Sequence, residues 1–310
     1  MTEPHPPACQ HIDSPDGHRI AVFHWPAKGE ARGVVHWLHG MADHASRYSQ
    51  LASLVNAGGW HLYAHDHRGH GASVVDETLR GHFADQDGWN RVIDDVEQVQ
   101  KMIRQHHPAL PLVLGGHSMG SFIALAFAER QGEGLAGLIQ CGSNLHPQWY
   151  YRLMRLPIRF ERWRCKGRGQ SPLLHKLTFE AFARGISDAN TDFDWLSNDP
   201  TEVKRYMDDP FCGHQCSTET WFQLVSGLLD IHSRERIKAL PSQLPVLMIG
   251  GDSDPMSNNG KGMLALYRAF HKYVDNKIQF SLYQGGRHEI LNDYCREQVL
   301  EDVAEWLDGL

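Results

Sequence analysis

One serine of this 310-residue chain lies in a G-x-S-x-G motif, at residues 116–120. The apolar run 112–116 predicts a strand that leads into the motif, and the pattern of 119–130 predicts a helix that follows it. Glycine lets the backbone turn sharply at this point, so the serine hydroxyl stands at the end of the strand and the helix directs its first N–H groups at a substrate. In this setting we expect Ser118 to act as a nucleophile.

A serine nucleophile needs a base to take its proton and an acid to orient that base. His288 fits the base, because it lies between the last predicted strand, 277–283, and the last predicted helix, 297–307. Two carboxylates, Asp252 and Asp254, follow the predicted strand 246–250, where this chain order places the acid. We assign Asp254, because the loop has moved clear of the strand there, whereas Asp252 is better placed to accept hydrogen bonds within the turn.

Acyl transfer also needs N–H donors for the oxyanion, each of which lowers the barrier by about 3 kcal/mol. The residue after the nucleophile, Met119, offers its backbone N–H. The second donor should come from the loop after the predicted strand 33–38, where Gly40 permits a turn that aims the N–H of Met41. Since both roles belong to the backbone, the methionine side chains are not themselves required.

These groups must be held by a scaffold, and the hydrophobic pattern predicts an α/β protein with a mostly parallel, doubly wound sheet. Residues 10–13 and 19–25 predict an opening hairpin, after which short apolar runs alternate with amphipathic segments. Such alternation is typical of a parallel sheet covered by helices on both faces. Beyond the segments named above, we predict strands at 60–65 and 135–141 and helices at 46–57 and 89–106.

The strand–helix alternation lapses between residues 144 and 240, which are rich in aromatic and basic side chains and predict helices without a buried strand. We therefore divide the chain into a core, 1–143 and 241–310, and a helical cap insertion, 144–240. Ligands bind beyond the carboxyl ends of the strands in such folds, so the cap should cover the site.

Composition limits the partners and the compartment. The formal net charge of −7 argues against a nucleic-acid partner, because phosphate binding requires a basic surface. Residues 1–20 contain no apolar run that predicts a secretory signal or a membrane span, and the six cysteines show no paired framework. We expect a cytoplasmic protein; the oligomeric state stays open.

Two histidine-containing segments invite a metal site, and we interpret neither as one. Cys212 and Cys216 flank His214, but no second ligand pair at a typical spacing accompanies them. The segment 65–71 carries three histidines, yet its Asp, Arg and glycines suit a hydrogen-bonded loop beside the oxyanion turn. The sequence therefore predicts no metal and no cofactor.

The cap offers two further groups of side chains whose roles stay open. Five aromatic residues could line an acyl pocket or pack the cap onto the sheet. A local basic run could be a solvated helix face or a transient contact with a lipid surface, and we favour the solvated face. The aromatic residues are Trp149, Tyr150, Tyr151, Phe160 and Trp163, and the basic run is Arg159, Arg162, Arg164, Lys166 and Arg168.

Five features of the chain are distinctive when taken together: His39-Gly40-Met41-Ala42-Asp43-His44 with Arg47-Tyr48, Asp66-His67-Arg68-Gly69-His70-Gly71-Ala72-Ser73, Gly116-His117-Ser118-Met119-Gly120, Gly251 to Asp254, and His288. These motifs resemble the monoacylglycerol lipase and lysophospholipase branch of the α/β-hydrolases, which is sometimes grouped with serine aminopeptidases. This resemblance implies the α/β-hydrolase fold with a helical cap and hydrolysis of single-chain lipid esters without metal or cofactor. It also implies a triad of Ser118, Asp254 and His288 and an oxyanion hole at Met41 and Met119.

The leading hypothesis is a serine esterase that forms an acyl-enzyme on a monoacylglycerol, a lysophospholipid or a similar single-chain ester. An aminopeptidase or amidase on the same triad is the first alternative, and it would need a cap carboxylate such as Glu161, Glu180 or Glu202 to hold a substrate ammonium. A non-catalytic binding protein on the same scaffold is less favoured, because all three triad members are present.

Overall fold

The computed structural model describes residues 7–187, 189–274 and 277–310. The first six residues, on which part of the amino-terminal interpretation rests, lie outside the described residues. An eight-stranded sheet runs through the described part of the molecule. Its strands are β1 (Ala8–Asp13), β2 (Arg19–Trp25), β3 (Gly33–Leu38), β4 (Trp60–His65), β5 (Leu112–His117), β6 (Gly137–Cys141), β7 (Val246–Gly251) and β8 (Ile278–Tyr283).

The sheet is mostly parallel, with the strand order β1-β2-β4-β3-β5-β6-β7-β8. Strands β1 and β2 form the predicted antiparallel hairpin, β2 pairs antiparallel with β4, and every later pair is parallel. The loops that follow β3, β5, β7 and β8 therefore emerge at the same edge of the sheet. These are the loops to which the sequence assigned the oxyanion turn, the nucleophile, the acid and the base.

The central strands are buried along their whole length. Every residue of β3, β5, β6 and β7 is buried. Apolar clusters cover both faces of the sheet: one includes Val92, Ile123 and Leu138, and the other includes Trp37, Ile139 and Val303. Burial on both faces explains why these strands read as continuous apolar runs without polar alternation.

Eleven α-helices occur among the described residues, and six of them lie between β6 and β7. The core helices pack against the sheet, as α3 does against β5 and β6. The helices are α1 (Ser49–Ala57), α2 (Gly88–His106), α3 (Met119–Gln131), α4 (Gln148–Arg164), α5 (Pro172–Leu177), α6 (Phe179–Ala183), α7 (Pro200–Asp208), α8 (Thr218–Ile231), α9 (Arg234–Ile237), α10 (Lys261–Tyr273) and α11 (Arg296–Asp308).

The fold class predicted from the sequence is confirmed, with corrections to individual elements. The first helix was placed at 46–57, but the chain forms a 3₁₀ turn at Ala45–Tyr48 before α1 begins. Strand β6 begins two residues later than expected, at Gly137. The sequence analysis named no helix between β7 and β8, where α10 lies.

Within the described residues, no helix is both long enough and apolar enough to span a bilayer.

Candidate active site

Ser118 lies on a strained turn between β5 and α3. Its backbone angles are φ 53° and ψ −121°, a conformation that is costly for a residue with a side chain. The glycines on either side are required by space: a Cβ on Gly116 would lie 2.4 Å from the carbonyl of Gly120, and one on Gly120 would lie 2.2 Å from the Leu38 carbonyl oxygen. The motif thus packs α3 directly against β3 and β5 and fixes Ser118 at the amino terminus of a helix.

His288 and Asp254 form a buried pair. Nδ1 of His288 lies 3.0 Å from Oδ2 of Asp254, and both side chains are 2% exposed or less. The other carboxylate oxygen of Asp254 accepts the backbone N–H of Met256 at 2.8 Å. With Nδ1–H donating to the carboxylate, Nε2 of His288 carries the lone pair that a general base needs.

The competing carboxylate, Asp252, faces a different partner. Its Oδ1 accepts the backbone N–H of Gly285 at 2.7 Å and the hydroxyl of Ser253 at 3.0 Å. Asp252 therefore ties the loop after β7 to the loop after β8, as its turn position suggested, and Asp254 is the carboxylate that reaches His288.

The Gly40–Met41 turn lies directly beside the nucleophile. A Cβ on Gly40 would lie 3.4 Å from the Cβ of Ser118, and Met41, Ser118, Met119 and His288 all line one cavity. The turn that was assigned the second oxyanion donor is therefore brought next to the helix terminus that was assigned the first.

The histidine-rich loop after β4 supports the same turn. Nε2 of His39 accepts the backbone N–H of His67 at 2.9 Å, while its Nδ1–H donates to the Gly40 carbonyl at 2.7 Å. Burial lowers the pKa of His39 to about 4, which keeps the ring neutral and suits this pattern of one donor and one acceptor. The carboxylate of Asp66 accepts the N–H groups of Ala45 and Ala72 at 2.7 and 2.6 Å.

An ion-pair network that the sequence reasoning did not assign connects the oxyanion turn to the base. Arg47 holds Glu289 with two hydrogen bonds of 2.9 and 2.7 Å and holds Asp43 at 2.8 Å, and the Tyr48 hydroxyl also donates to Asp43. Burial acts to raise the pKa of both carboxyls, but the Arg47 guanidinium outweighs it, so each pKa lies below its usual value. Arg47 thus stabilises two buried carboxylates next to His288, and only contact across the fold reveals this.

The cap also holds the base loop. The backbone N–H of His288 donates to the Trp195 carbonyl at 3.3 Å, and that of Glu289 donates to the Leu196 carbonyl at 2.7 Å. From the core side, the ring of His117 donates to the His288 carbonyl at 3.1 Å. Because the backbone around His288 is fixed from both sides, the ring is positioned before a substrate binds.

A largely apolar cavity lies between these groups and the cap helices. It encloses about 940 Å³, including its opening to solvent. Its apolar walls come from α3, α4, α6 and α8, and include Phe122, Tyr150, Tyr151, Met154, Phe179, Phe182, Trp221, Leu224, Val225 and Leu228.

The structure divides the five aromatic residues of the cap. Tyr150 and Tyr151 line the cavity, whereas Trp149, Phe160 and Trp163 are 63%, 56% and 77% exposed on the outer face of α4. Trp149, Phe160 and Trp163 therefore neither line the pocket nor pack against the sheet, and both interpretations are wrong for them. Helical spacing explains the split, because adjacent residues on α4 point to different sides.

The three cap carboxylates considered for a substrate ammonium do not reach the cavity. Glu161 binds Arg164 and the Ser171 hydroxyl, Glu180 pairs with Arg184, and Glu202 pairs with Arg205. None of the three lines the space in front of Ser118.

Comparison with known proteins agrees with this geometry. A family model described as serine aminopeptidase, S33, matches residues 29–294. The chain belongs to the serine aminopeptidase S33 family. The match includes all five candidate site residues, Met41, Ser118, Met119, Asp254 and His288.

Curated relatives of this S33 chain are lipases. A monoacylglycerol lipase of Mycolicibacterium smegmatis is 29% identical over 295 residues, which cover 94% of this chain and 93% of that protein. The monoglyceride lipase of Homo sapiens is 25% identical over 306 residues, which cover 96% of this chain and 89% of that protein. Among solved structures, a thermostable carboxyl esterase from Bacillus coagulans in complex with glycerol has a TM-score of 0.90 and 26% identity, with 98% of both chains covered.

These matches confirm the resemblance to the monoacylglycerol lipase branch and the α/β-hydrolase fold. This S33 family member is a serine ester hydrolase.

Proposed function

We propose that the protein hydrolyses monoacylglycerols through an acyl-enzyme on Ser118. The observation that carries the proposal is the meeting of the strained Ser118 turn and the buried Asp254–His288 pair at one apolar cavity. Each feature is costly on its own, since a serine at positive φ and a buried carboxylate both need support from the surrounding structure. Their convergence is what acyl transfer requires.

The reaction proceeds in two acyl-transfer steps. Nε2 of His288 takes the Ser118 proton as Oγ attacks the ester carbonyl, while Asp254 holds the ring and stabilises the imidazolium. The N–H groups of Met41 and Met119 bind the oxyanion, and His288 then protonates the departing glycerol. Water activated by His288 attacks the acyl-enzyme and releases the fatty acid, which restores Ser118.

The cavity walls favour a single acyl chain with a neutral headgroup. Among the described residues that line it there is no Lys or Arg, so no permanently cationic side chain in the cavity pairs with the phosphate of a lysophospholipid. The relatives named as monoacylglycerol lipases and the esterase solved with glycerol support the same choice. Glycerol is the alcohol that a monoacylglycerol releases.

An aminopeptidase activity has less support, despite the family's name. Of the carboxylates that line the described cavity, Asp43 and Glu289 are paired with Arg47. A substrate ammonium would have to compete with a buried guanidinium for either of them.

A substrate panel tests this proposal. We expect purified protein to release fatty acid from 1-monooleoylglycerol with a kcat/KM at least about tenfold above that for the matched lysophosphatidylcholine, and no amine from aminoacyl anilides. A substrate that leaves one buried polar group without a partner is typically discriminated against by this factor or more. A preference for the lysophospholipid would overturn the monoacylglycerol assignment, and cleavage of the anilides would favour the amidase alternative.

We further propose that the cap contacts an anionic lipid surface through the outer face of α4. Five large apolar side chains follow one stripe at spacings of three or four residues, and Arg152 and Arg159 are exposed beside them. Part of the basic run is occupied elsewhere, since Arg162, Arg164 and Arg168 pair with carboxylates. An apolar stripe with a cationic rim matches an interfacial helix. The stripe is formed by Trp149, Leu153, Leu156, Phe160 and Trp163.

The division into a core and a cap at 144–240 also stays part of this proposal. This division is supported by the cavity, which is bounded by core residues such as Gly40 and Ser118 and by cap residues such as Tyr150 and Phe179. A cytoplasmic location and the lack of a nucleic-acid partner stay predictions from the sequence.

A further inference from the structure

The two segments that the sequence analysis considered and rejected as metal sites meet in space. His70 belongs to the loop after β4, and His214 and Cys216 belong to the cap loop between α7 and α8. One nitrogen or sulfur atom from each of the three lies within 4.8 Å of the others. Each segment contributes only part of this cluster, so spacing along the chain did not indicate it.

Backbone carbonyls hold both imidazoles through Nδ1. Nδ1–H of His70 donates to the Arg68 carbonyl at 2.8 Å, and Nδ1–H of His214 donates to the Phe211 carbonyl at 3.1 Å. Nε2 of His70 then faces Cys216 Sγ at 4.0 Å, and Nε2 of His214 is buried without a hydrogen-bond partner. A carbonyl that fixes the far nitrogen is the usual support of a metal-bound histidine.

The chemistry of these three groups suits a borderline-soft divalent cation. Two imidazole nitrogens and one cysteine sulfur, which binds as the thiolate, are ligands that zinc takes in proteins. Zinc bonds of about 2.0–2.1 Å to nitrogen and about 2.3 Å to sulfur would place Nε2 and Sγ about 3.5 Å apart, so the observed 4.0 Å needs only a small closure.

Two other clusters each contain three potential ligands, but members of these clusters already pair with other side chains. His44 pairs with Asp209 at 2.9 Å beside Cys212. His24 pairs with His61 at 3.0 Å, and the nearby His107 pairs with the Tyr63 hydroxyl at 2.9 Å. The cluster of His70, His214 and Cys216 differs because it contains a buried nitrogen that no described group satisfies.

We propose that His70, His214 and Cys216 form a binding site for a zinc-class divalent cation that ties the cap to the core. As the metal–sulfur bond forms, the Cys216 thiol gives its proton to solvent, and the three protein ligands leave one position for water. The consequence reaches the active site, because the N–H of Gly213 donates to the Ala42 carbonyl, next to Met41. A metal bound to this loop stiffens the oxyanion turn.

Cobalt titration tests the proposal, because cobalt reports both thiolate bonding and geometry. We expect chelator-treated protein to bind one equivalent of Co²⁺ with a thiolate-to-cobalt absorption band and a tetrahedral visible spectrum, and Zn²⁺ to displace it. Zn²⁺ should also raise the Tm, since a ligand of the native state stabilises it. Absence of binding by folded protein, or binding without a thiolate band, would overturn the site.

Matched variants locate the ligands. We expect Cys216→Ser to abolish the thiolate band and His214→Ala to weaken Co²⁺ binding at least about tenfold, because each removes a ligand. Cys212→Ser removes a thiol from the same loop, four residues away, and should leave the band unchanged. His214 lies on a partly exposed loop, so circular dichroism should show its variant folded. A band that survives in Cys216→Ser and disappears in Cys212→Ser would place the metal at the neighbouring group and contradict the proposal.

Discussion

At the scale of single residues, the two aspartates after β7 offer a matched pair of variants. Asp254→Asn should lower kcat by about 10⁴-fold, the loss seen when the corresponding aspartate of a serine protease becomes an amide, because the amide no longer holds the productive histidine tautomer. Asp252→Asn should stay near wild type, because an amide oxygen can still accept the Gly285 N–H. Ester hydrolysis measured on both variants checks this, and a larger loss in Asp252→Asn would reverse the assignment.

Arg47 gives a prediction about stability and pH. Its removal in Arg47→Met leaves Asp43 and Glu289 buried without their cation, which should cost about 3–5 kcal/mol. The control Arg184→Met breaks only the surface pair with Glu180 and should cost less than about 1 kcal/mol. Urea unfolding of both variants at pH 7 measures the difference, and equal costs would refute the role of the network.

The contribution of Asp43 and Glu289 to folding stability should depend on pH with the opposite sign in Arg47→Met. In the wild type the pKa values of Asp43 and Glu289 are lowered, so they stabilise the fold above the unfolded values of about 4, and this contribution is lost as pH falls. Without Arg47, burial raises both pKa values, and the cost grows as pH rises above about 4. We expect the Tm of Arg47→Met, measured by calorimetry, to fall from pH 5 to pH 8 relative to wild type; parallel curves would contradict this.

Residues of the site differed in how far the sequence could reveal them. Ser118, His288 and Asp254 follow predicted strands in a fixed order, so their positions along the chain were sufficient to predict them as a triad. Arg47 and Glu289 meet only because the loops after β3 and β8 leave the sheet at one edge, and no spacing along the chain indicates that pairing.

At the scale of elements, α4 has an inner face that lines the cavity and an outer face in solvent. Met154 lines the cavity, whereas its neighbour Leu153 is 57% exposed. Met154→Trp should shorten the preferred acyl chain, because each methylene displaced costs about 0.8 kcal/mol of burial. Leu153→Trp should leave the profile unchanged. Rates on p-nitrophenyl esters from acetate to laurate check this, and identical profiles for the two variants would exclude α4 from the acyl pocket.

The outer face of α4 predicts lipid binding. The double variant Phe160→Ser/Trp163→Ser should bind phosphatidylglycerol vesicles at least about tenfold more weakly, because two aromatic side chains no longer enter the interface. Tyr294→Ser removes an equally exposed aromatic residue outside the cap and serves as the control. Sedimentation with vesicles measures binding, and hydrolysis of soluble p-nitrophenyl acetate should be unaffected. Equal binding by both variants would exclude this face.

Helices and strands with a clear hydrophobic pattern could be predicted from the sequence, whereas a turn held by side-chain hydrogen bonds could not. Buried strands such as β3 and the amphipathic helix α2 matched within one residue. The 3₁₀ turn before α1 was not predicted. His44 hydrogen-bonds to Asp209 and Tyr48 hydrogen-bonds to Asp43, and hydrophobic periodicity does not indicate such contacts.

At the scale of the whole molecule, the proposed cap and core share the candidate active site. Core loops carry the groups that we propose to react, and cap backbone at Trp195 and Leu196 accepts hydrogen bonds from the loop that carries His288. The sequence predicted the cap from the lapse of strand–helix alternation, but not these contacts, because the cap has no periodic pattern that fixes how it docks. Substrate choice depends on that docking, since the acyl walls come largely from α4, α6 and α8.

The most direct test of the account is oleate release from 1-monooleoylglycerol by the wild type and Ser118→Ala side by side. The account predicts turnover by the wild type and a loss of at least about 10⁴-fold in the variant, because a triad without its nucleophile retains only oxyanion and binding contributions. An unchanged rate in folded Ser118→Ala, or no release by folded wild type, would contradict it.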